Sequence, residues 1–283
     1  MCSTNMIKIV TDSSSDLTMQ EAKELDVQII PLTISIGEDS YLDGVDITPE
    51  EFIEKMKESN NFPKSSQPAI GELLKLYNQL AEDGSEVLSI HLSGKLSGTS
   101  ESAKTAATMS GRKVTVVDSL FISKALGFQV REAARMAKKG CVMDEILEKL
   151  DHIRKNTHLF VVVDTLENLV KGGRIGKGTA MIGSFLNIKP IAILENGEYS
   201  PVAKARSQSQ AIKYIVKQFM NDVKGKTIKY ASIAHANGLE FAMKLKEQIE
   251  EKSGFHSVEI LWTSPVISTH TGQGAIGFSY FAE

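Results

Sequence analysis

The chain is poor in cysteine, with only Cys2 and Cys141 among its 283 residues. Two cysteines so far apart provide neither a disulfide framework nor a zinc cluster, and such sparse use is typical of a reducing cytosol. An excess of basic residues is also missing, since 32 lysines and arginines accompany 35 acidic residues and the net charge is −3. The composition therefore argues against a nucleic-acid-binding surface.

Long apolar runs are absent as well. No stretch reaches the roughly 18 residues that a transmembrane helix needs, and the polar start MCSTN does not have the features of a signal peptide. The composition, 42% hydrophobic and 24% charged, is that of an ordinary globular protein. We therefore expect a soluble, cytoplasmic protein.

The six histidines lack the spacing of metal ligands. His152 and His158 are six residues apart, and His270 stands alone in a segment rich in glycine and threonine. Because zinc sites draw their ligands from short, regular spacings, we predict neither a metal nor another cofactor. His270 fits either an ordinary loop histidine or the polar wall of a pocket.

Two common catalytic motifs are missing. Residues 171–178 form a basic, glycine-rich segment, but a P-loop would need Gly in place of Lys171 and Ser or Thr in place of Gly178. Neither a G-x-S-x-G elbow nor a Ser–His–Asp order is present. These absences argue against a nucleotide site in this segment and against nucleophilic hydrolysis.

The most informative stretch spans residues 87–109. The apolar run VLSIHL predicts a buried strand, the loop SGKLSG follows, and a helix is predicted from about Ser100. Free N–H groups and the dipole at a helix N-terminus favour a carboxylate or a phosphate. Ser97 therefore fits an anion-binding residue, although a simple helix cap explains it equally well. Ser65 and Ser66 form a similar hydroxyl-rich turn before the next predicted helix upstream.

Another polar cluster follows the first predicted strand. The β-branched residues 7–10 lead into Thr11, Asp12 and three serines. Such clusters lie where open α/β sheets bind ligands, but a helix cap with an Asx turn is the commoner explanation. Asp12 alone does not predict a Mg²⁺ site, since such sites usually need a second carboxylate or a phosphate.

Strand and helix patterns alternate up to about residue 157, which predicts a mostly parallel sheet flanked by helices. In the second half, Asn196-Gly197 between two apolar runs predicts a β-hairpin. We therefore predict an α/β protein of two domains. Residues 1–157 form an α/β domain with Ser/Gly anion-binding loops, and residues 158–283 form an α+β domain whose glycine-rich loops close the ligand site.

Six short motifs, taken together, resemble those of the DegV family. They are Thr11-Asp12-Ser13, Ser66-Gln67-Pro68, Leu96-Ser97-Gly98-Thr99, Asp118-Ser119, Gly172-Gly173-Arg174-Ile175 and His270-Thr271-Gly272-Gln273-Gly274-Ala275. Each motif alone is weak, but all six stand in the family's order at compatible spacing along nearly the whole chain. Within the family, the chain resembles the fatty-acid-binding subunits of bacterial two-component fatty acid kinases.

This resemblance implies a DegV-like fold and a role in phospholipid metabolism. A protein of this kind binds one long-chain fatty acid and presents its carboxylate to a separate ATP-dependent kinase, which forms the acyl-phosphate. The implied partners are the fatty acid and the catalytic subunit of the kinase. The protein itself would then be no enzyme.

The resemblance also implies the residues of the site. In relatives the carboxylate is held by a hydroxyl before Ser-Gln-Pro, by the serine and following amide of Leu-Ser-Gly, and near the C-terminal histidine. The matching residues here are Ser65, Ser97, Gly98 and His270. An arginine on the strand after the hairpin supports phosphotransfer in relatives, and its counterpart is Arg206. Relatives commonly have Thr at the position of Ser65, so the hydroxyl is kept here and the stiffening β-methyl is lost.

Two other functions stay open. The chain fits a metal-assisted phosphotransferase or hydrolase that uses Asp12 and the serine-rich loops. It also fits a sensor whose fatty-acid occupancy alters its contact with another protein. Burial of about fifteen methylenes would contribute on the order of 12 kcal/mol gross to lipid binding. The length and unsaturation of the acyl chain depend on the shape of the tunnel and do not follow from the sequence.

Overall fold

The structure is a computed structural model that describes residues 6–181 and 188–283, so Cys2 and the segment MCSTN lie outside the described residues. The strands are β1 (Ile7–Asp12), β2 (Val27–Ile30), β3 (Thr33–Ile36), β4 (Asp39–Leu42), β5 (Lys64–Ser66), β6 (Glu86–His91), β7 (Val114–Asp118), β8 (Thr157–Val162), β9 (Lys189–Glu195), β10 (Glu198–Ala205), β11 (Ile228–His235), β12 (Glu259–Trp262) and β13 (Ile276–Ala282).

The helices lie between these strands. They are α1 (Met19–Leu25), α2 (Pro49–Glu58), α3 (Ile70–Leu80), α4 (Thr99–Ser110), α5 (Ser123–Lys138), α6 (Met143–Asn156), α7 (Glu167–Lys171), α8 (Gln208–Asp222), α9 (Leu239–Ser253) and α10 (Pro265–Thr271). Short 3-10 helices span Ser13–Ser15 and Gly176–Met181. No helix within the described residues is long and apolar enough to cross a membrane.

The first sheet is parallel, with strand order β2-β1-β6-β7. Val87, Leu88 and Ile90 on β6 are fully buried, as the apolar run predicts. Because β1 and β6 are parallel neighbours, the polar segments that follow them meet at the same edge of the sheet. The predicted parallel sheet flanked by helices is confirmed.

The second sheet has the strand order β10-β9-β8-β13-β11-β12 and is mostly antiparallel. Asn196 and Gly197 both have positive φ, 51° and 86°, and join β9 to β10 in the predicted hairpin. Successive side chains of β8 point to opposite faces of the sheet and pack in different hydrophobic cores. Phe160 packs with side chains of α8 and α9, whereas Val161 belongs to the core that contains α5.

The second sheet begins at Thr157, beside the predicted domain boundary. Helix α5 contacts β1 of the first sheet and β13 of the second, and its side chains share one core with both. The division into two domains at residues 157 and 158 therefore stays a prediction.

Several local predictions are wrong. Ser65 and Ser66 lie on strand β5 rather than in a turn before a helix. The run VQIIPLTISI at residues 27–36 predicts one strand, but Pro31 lacks a backbone donor and separates β2 from β3. Strand β3 instead pairs with β4 and β5 in a small antiparallel sheet. His270 lies on α10 rather than in a loop. Pro265 begins that helix, and the Thr269 hydroxyl donates to the Pro265 carbonyl one turn earlier.

Candidate functional site

A cavity of about 340 Å³ is lined by the segments that follow β1 and β6 and by residues of β5, β10 and α10. Its volume is within the range that small-molecule sites occupy. Its polar lining consists of Ser14, Ser65, Ser66, Gln67, Ser97, Arg174 and His270. Its apolar lining consists of Leu32, Leu92, Leu96, Ile122, Tyr199, Val266 and Ile267. Three predicted site residues, Ser65, Ser97 and His270, therefore share one cavity.

Ser65 and His270 are directly hydrogen-bonded. The His270 Nε2 atom lies 2.7 Å from the Ser65 Oγ atom, although the two residues are 205 positions apart. The sequence predicts that His270 lies within hydrogen-bond reach of the head group or of Ser97. In the structure its hydrogen-bond partner is Ser65. The His270 Nδ1 atom is buried and has no hydrogen-bond partner among the described residues.

The surroundings of His270 decide its charge and its tautomer. Burial, aided by the Arg174 guanidinium, lowers the pKa of the imidazole to about 4, so the ring is neutral at pH 7. Gly172 packs so closely that a Cβ there would lie 2.3 Å from Nδ1. An unpaired N–H is harder to accommodate than an unpaired acceptor, which favours the tautomer with the proton on Nε2. That proton goes to Ser65, whose own hydroxyl proton is then available to a ligand.

The lowered pKa of His270 predicts a pH-dependent stability. As the pH falls from 6.5 to 4, His270 becomes protonated in the unfolded chain but stays neutral in the folded protein. The free energy of unfolding therefore falls by up to about 3 kcal/mol over this range. We expect urea unfolding of lipid-free wild type to show this loss and His270→Gln, which keeps a hydrogen-bonding side chain, to show a shallower slope. Equal slopes for both proteins would contradict the lowered pKa.

Ser97 and Gly98 lie at the N-terminus of α4. The Ser97 Oγ atom is 2.9 Å from the Thr99 Oγ1 atom and accepts from the Thr99 amide at 3.3 Å, so it does bond to the first turn. The Gly98 amide makes no hydrogen bond to a described residue. A Cβ at Gly98 would lie 2.3 Å from the Gln67 Oε1 atom, so a larger residue there would require the Gln67 side chain to move. The amide that the family resemblance implies as a carboxylate donor is thus without a partner.

Arg174 is the functional candidate that the sequence reasoning missed. Its Nε donates to the Leu96 carbonyl at 3.0 Å and its guanidinium also donates to the Gly172 carbonyl at 2.6 Å. Among the described residues it is the only lysine or arginine that lines the cavity. The P-loop spacing does not point to Arg174, but the family motif Gly-Gly-Arg-Ile contains it.

Arg206 lies outside the cavity. Strand β10 ends at Ala205, and Arg206 is the exposed residue that follows. The expectation that Arg206 lies on the strand after the hairpin is therefore wrong by one residue. The role of Arg206 in phosphotransfer stays a prediction.

Asp12 is fully buried and its carboxylate is occupied by four hydrogen bonds. Oδ1 accepts from the Ser14 amide and hydroxyl, and Oδ2 accepts from the Leu92 amide at 2.9 Å and lies 3.0 Å from the His91 Nδ1 atom. Asp12 also caps the 3-10 helix Ser13–Ser15. These contacts favour the capping interpretation over a metal or catalytic site. No group of three or more potential metal-ligating side chains was found within residues 6–181 and 188–283.

A buried series of hydrogen bonds continues from Asp12 and contains the residue types of a Ser–His–Asp triad. The His91 Nε2 atom lies 2.7 Å from the Ser89 hydroxyl, which accepts from the Tyr77 hydroxyl at 2.8 Å. The exposed fraction is 0% for Asp12, Ser89, His91 and Tyr77, so no substrate reaches the serine. The network instead fixes Asp12, which in turn holds the strand ends beside the cavity. The three residues follow the order Asp12, Ser89, His91 in the chain, which differs from the Ser–His–Asp order considered above.

The DegV family model, described as an uncharacterised protein family, matches residues 6–283. The chain belongs to the DegV family. A DegV domain-containing protein of Staphylococcus aureus strain N315 is 45% identical over 269 residues, which cover 95% of this chain and 96% of that protein. The predicted family membership is thereby confirmed.

Solved structures of DegV proteins share the fold. One describes fatty acid binding by a DegV family protein from Thermus thermophilus, with a TM-score of 0.93 and 32% identity over 98% of this chain and 100% of that one. Another is DegV of Bacillus subtilis, described as a fatty acid binding protein, with a TM-score of 0.89 and 34% identity over 98% and 99% of the two chains. The DegV-like fold class is confirmed.

Proposed function

We propose that this chain is a cytoplasmic carrier that binds one long-chain fatty acid and presents its carboxylate to a separate ATP-dependent kinase. The observation that carries the proposal is the cavity itself, in which apolar walls adjoin Ser65, Ser97, Arg174 and His270. The fatty acid binding stated for the DegV proteins of Thermus thermophilus and Bacillus subtilis supports it.

The head-group residues suit a carboxylate. An ionised carboxylate only accepts hydrogen bonds, and the Ser65 hydroxyl, the Gly98 amide and the Ser97 hydroxyl are donors. Arg174 supplies the positive charge that a partly buried anion needs. The apolar wall supplies the affinity, at about 0.8 kcal/mol per buried methylene, while the polar residues orient the head group.

The phosphoryl transfer itself is then catalysed by the partner kinase. A carboxylate oxygen attacks the γ-phosphorus of ATP held by the kinase, the bond between that phosphorus and the bridging oxygen of ADP breaks, and ADP leaves. The carrier's contribution is to hold the carboxylate in place and to add positive charge. We assign the latter role to Arg206 at the docking surface.

Extraction of the purified protein with organic solvent, followed by mass spectrometry, tests the proposal. We expect close to one long-chain fatty acid per chain, and acyl-phosphate when the kinase and ATP are added. An empty protein that hydrolyses phosphate esters would instead support the metal-assisted enzyme. A loaded protein that no fatty acid kinase accepts would support the sensor.

Ser97→Ala should weaken acyl phosphorylation more than lipid retention. The variant removes a hydroxyl at the N-terminus of α4 but leaves the apolar wall that buries the tail. A hydrogen bond to a charged group contributes about 1.5–3 kcal/mol, so we expect turnover in a reconstituted kinase assay to fall about tenfold or more. Ser110→Ala, at the other end of α4, is the matched control. Wild-type turnover in Ser97→Ala would show that Ser97 only caps the helix.

A further inference from the structure

Tyr199 on β10 lies where the cavity meets two smaller voids of about 20 Å³ each. The side chain is 4% exposed. One void is lined by residues such as Leu159 and Ile276, and the other by residues such as Leu169 and Ile191. Among the described residues, Tyr199 alone lines the cavity and both voids.

Both voids are apolar. The residues that line the second void are all apolar or glycine apart from Tyr199, and the first adds only hydroxyl side chains such as Thr263 and Thr271. Apolar voids of this size stay free of ordered water, because water needs polar partners. Space that water does not fill is favourable for a hydrocarbon chain, provided that the chain can reach it.

The backbone of Tyr199 is held on two sides. Its Cα pairs with Leu194 across the hairpin, and Gly176 approaches so closely that a Cβ there would lie 2.9 Å from the Tyr199 carbonyl oxygen. Gly176 has a φ of +56°, a left-handed conformation that glycine adopts without strain. The strand and the glycine-rich segment together fix where the ring stands.

The hydroxyl of Tyr199 does not account for a tyrosine at this position. It makes no side-chain hydrogen bond to a described residue, and burial raises the pKa of the phenol. Phenylalanine would keep the ring and its packing and would lose no side-chain hydrogen bond to a described residue. The ring's size and position are therefore the features that matter.

We propose that Tyr199 sets the length of acyl chain that the site accepts, by separating the head-group cavity from the two apolar voids. The inference rests on the proposed fatty-acid binding and identifies a specificity-determining residue within that function. A tail that stops before the ring is fully buried, whereas a longer tail must displace it. Each further methylene that gains buried space favours binding by about fourfold, and each blocked one gains nothing.

Competition between saturated fatty acids on lipid-free protein, read by mass spectrometry of the bound fraction, tests this proposal. The probes are an equimolar series of straight-chain acids that differ by two carbons. We expect Tyr199→Ala to move the preferred acid to a longer chain, by about fourfold in relative affinity per added methylene. Tyr199→Phe, which keeps the ring, should retain the wild-type preference.

Phe160→Ala is the matched control for loss of a buried aromatic ring. Phe160 is also 4% exposed and lies on the neighbouring part of the same sheet, but it packs in the core that contains α8. We expect it to lower stability and to leave the chain-length preference unchanged. A matching shift in Phe160→Ala would overturn the proposal, since the shift would then reflect general loosening.

Tyr199→Leu covers the case in which Tyr199→Ala does not fold, and a smaller shift in the same direction is expected. A folded, lipid-binding Ala or Leu variant with the wild-type preference overturns the role of Tyr199. The same holds if Tyr199→Phe shifts as far as Tyr199→Ala. A wild type that binds none of the acids contradicts the proposed function instead, so the two failures are distinguishable.

Discussion

Arg206→Ala should still carry its fatty acid yet support at least about a hundredfold less acyl-phosphate formation by the partner kinase. The lipid is retained because Arg206 is exposed and does not line the cavity. The loss of turnover follows if the guanidinium neutralises charge on ATP or on the acyl-phosphate during transfer. The measurement combines bound lipid by mass spectrometry with acyl-phosphate formation in a reconstituted assay.

Two further variants test whether the effect is specific to the guanidinium of Arg206. Arg112→Ala removes an exposed arginine beyond the end of α4 and should leave both measurements unchanged. Arg206→Lys keeps the charge but loses the bidentate fork, so its turnover should be intermediate. Loss of bound lipid in Arg206→Ala would place the residue in the pocket, and unchanged turnover would leave it an ordinary surface cation.

Arg174→Ala should weaken binding of the ionised fatty acid by about tenfold to a hundredfold, as expected for a hydrogen bond to a charged group. The reason is that Arg174 is the only lysine or arginine lining the cavity among the described residues. Binding of the fatty alcohol of the same length should change little, because the alcohol carries no charge. Displacement of a fluorescent fatty acid by each lipid gives both affinities.

Lys171→Ala is the matched control for Arg174. Lys171 lies three residues earlier, is exposed, and forms an ion pair with Glu167 on the surface of α7. Its removal should affect neither lipid. An equal loss of acid and alcohol binding in Arg174→Ala would mean that the arginine acts by holding the Leu96 and Gly172 carbonyls rather than by facing the carboxylate.

The local structure around the site follows from residues close together in the chain. The run VLSIHL forms β6, the loop with Ser97 leads into α4, and Asn196-Gly197 forms the hairpin. Hydrophobic periodicity, helix capping and turn chemistry act over a few residues, so the sequence alone reveals them. The same sequence patterns missed the helix around His270, since its glycine and threonine neighbours look like a loop.

The family motifs extended the prediction across the chain. They identify Ser65, Ser97, Gly98 and His270 as one site, and the structure brings Ser65, Ser97 and His270 to one cavity with Gly98 beside Ser97. Composition and periodicity alone could not have joined these residues, because they carry no information on which distant segments meet.

Only the tertiary structure decided how the site is built. It joins Ser65 to His270 across 205 residues, brings Arg174 to the cavity, and uses the Asp12 carboxylate to hold the Leu92 amide. It also places Tyr199 between the cavity and the two voids. Charge state, hydrogen-bond availability and cavity shape depend on burial and on distances between segments far apart in the chain. For this reason the sequence determined the family, the main elements and several polar residues of the cavity, whereas packing decided the protonation of His270 and the shape of the cavity.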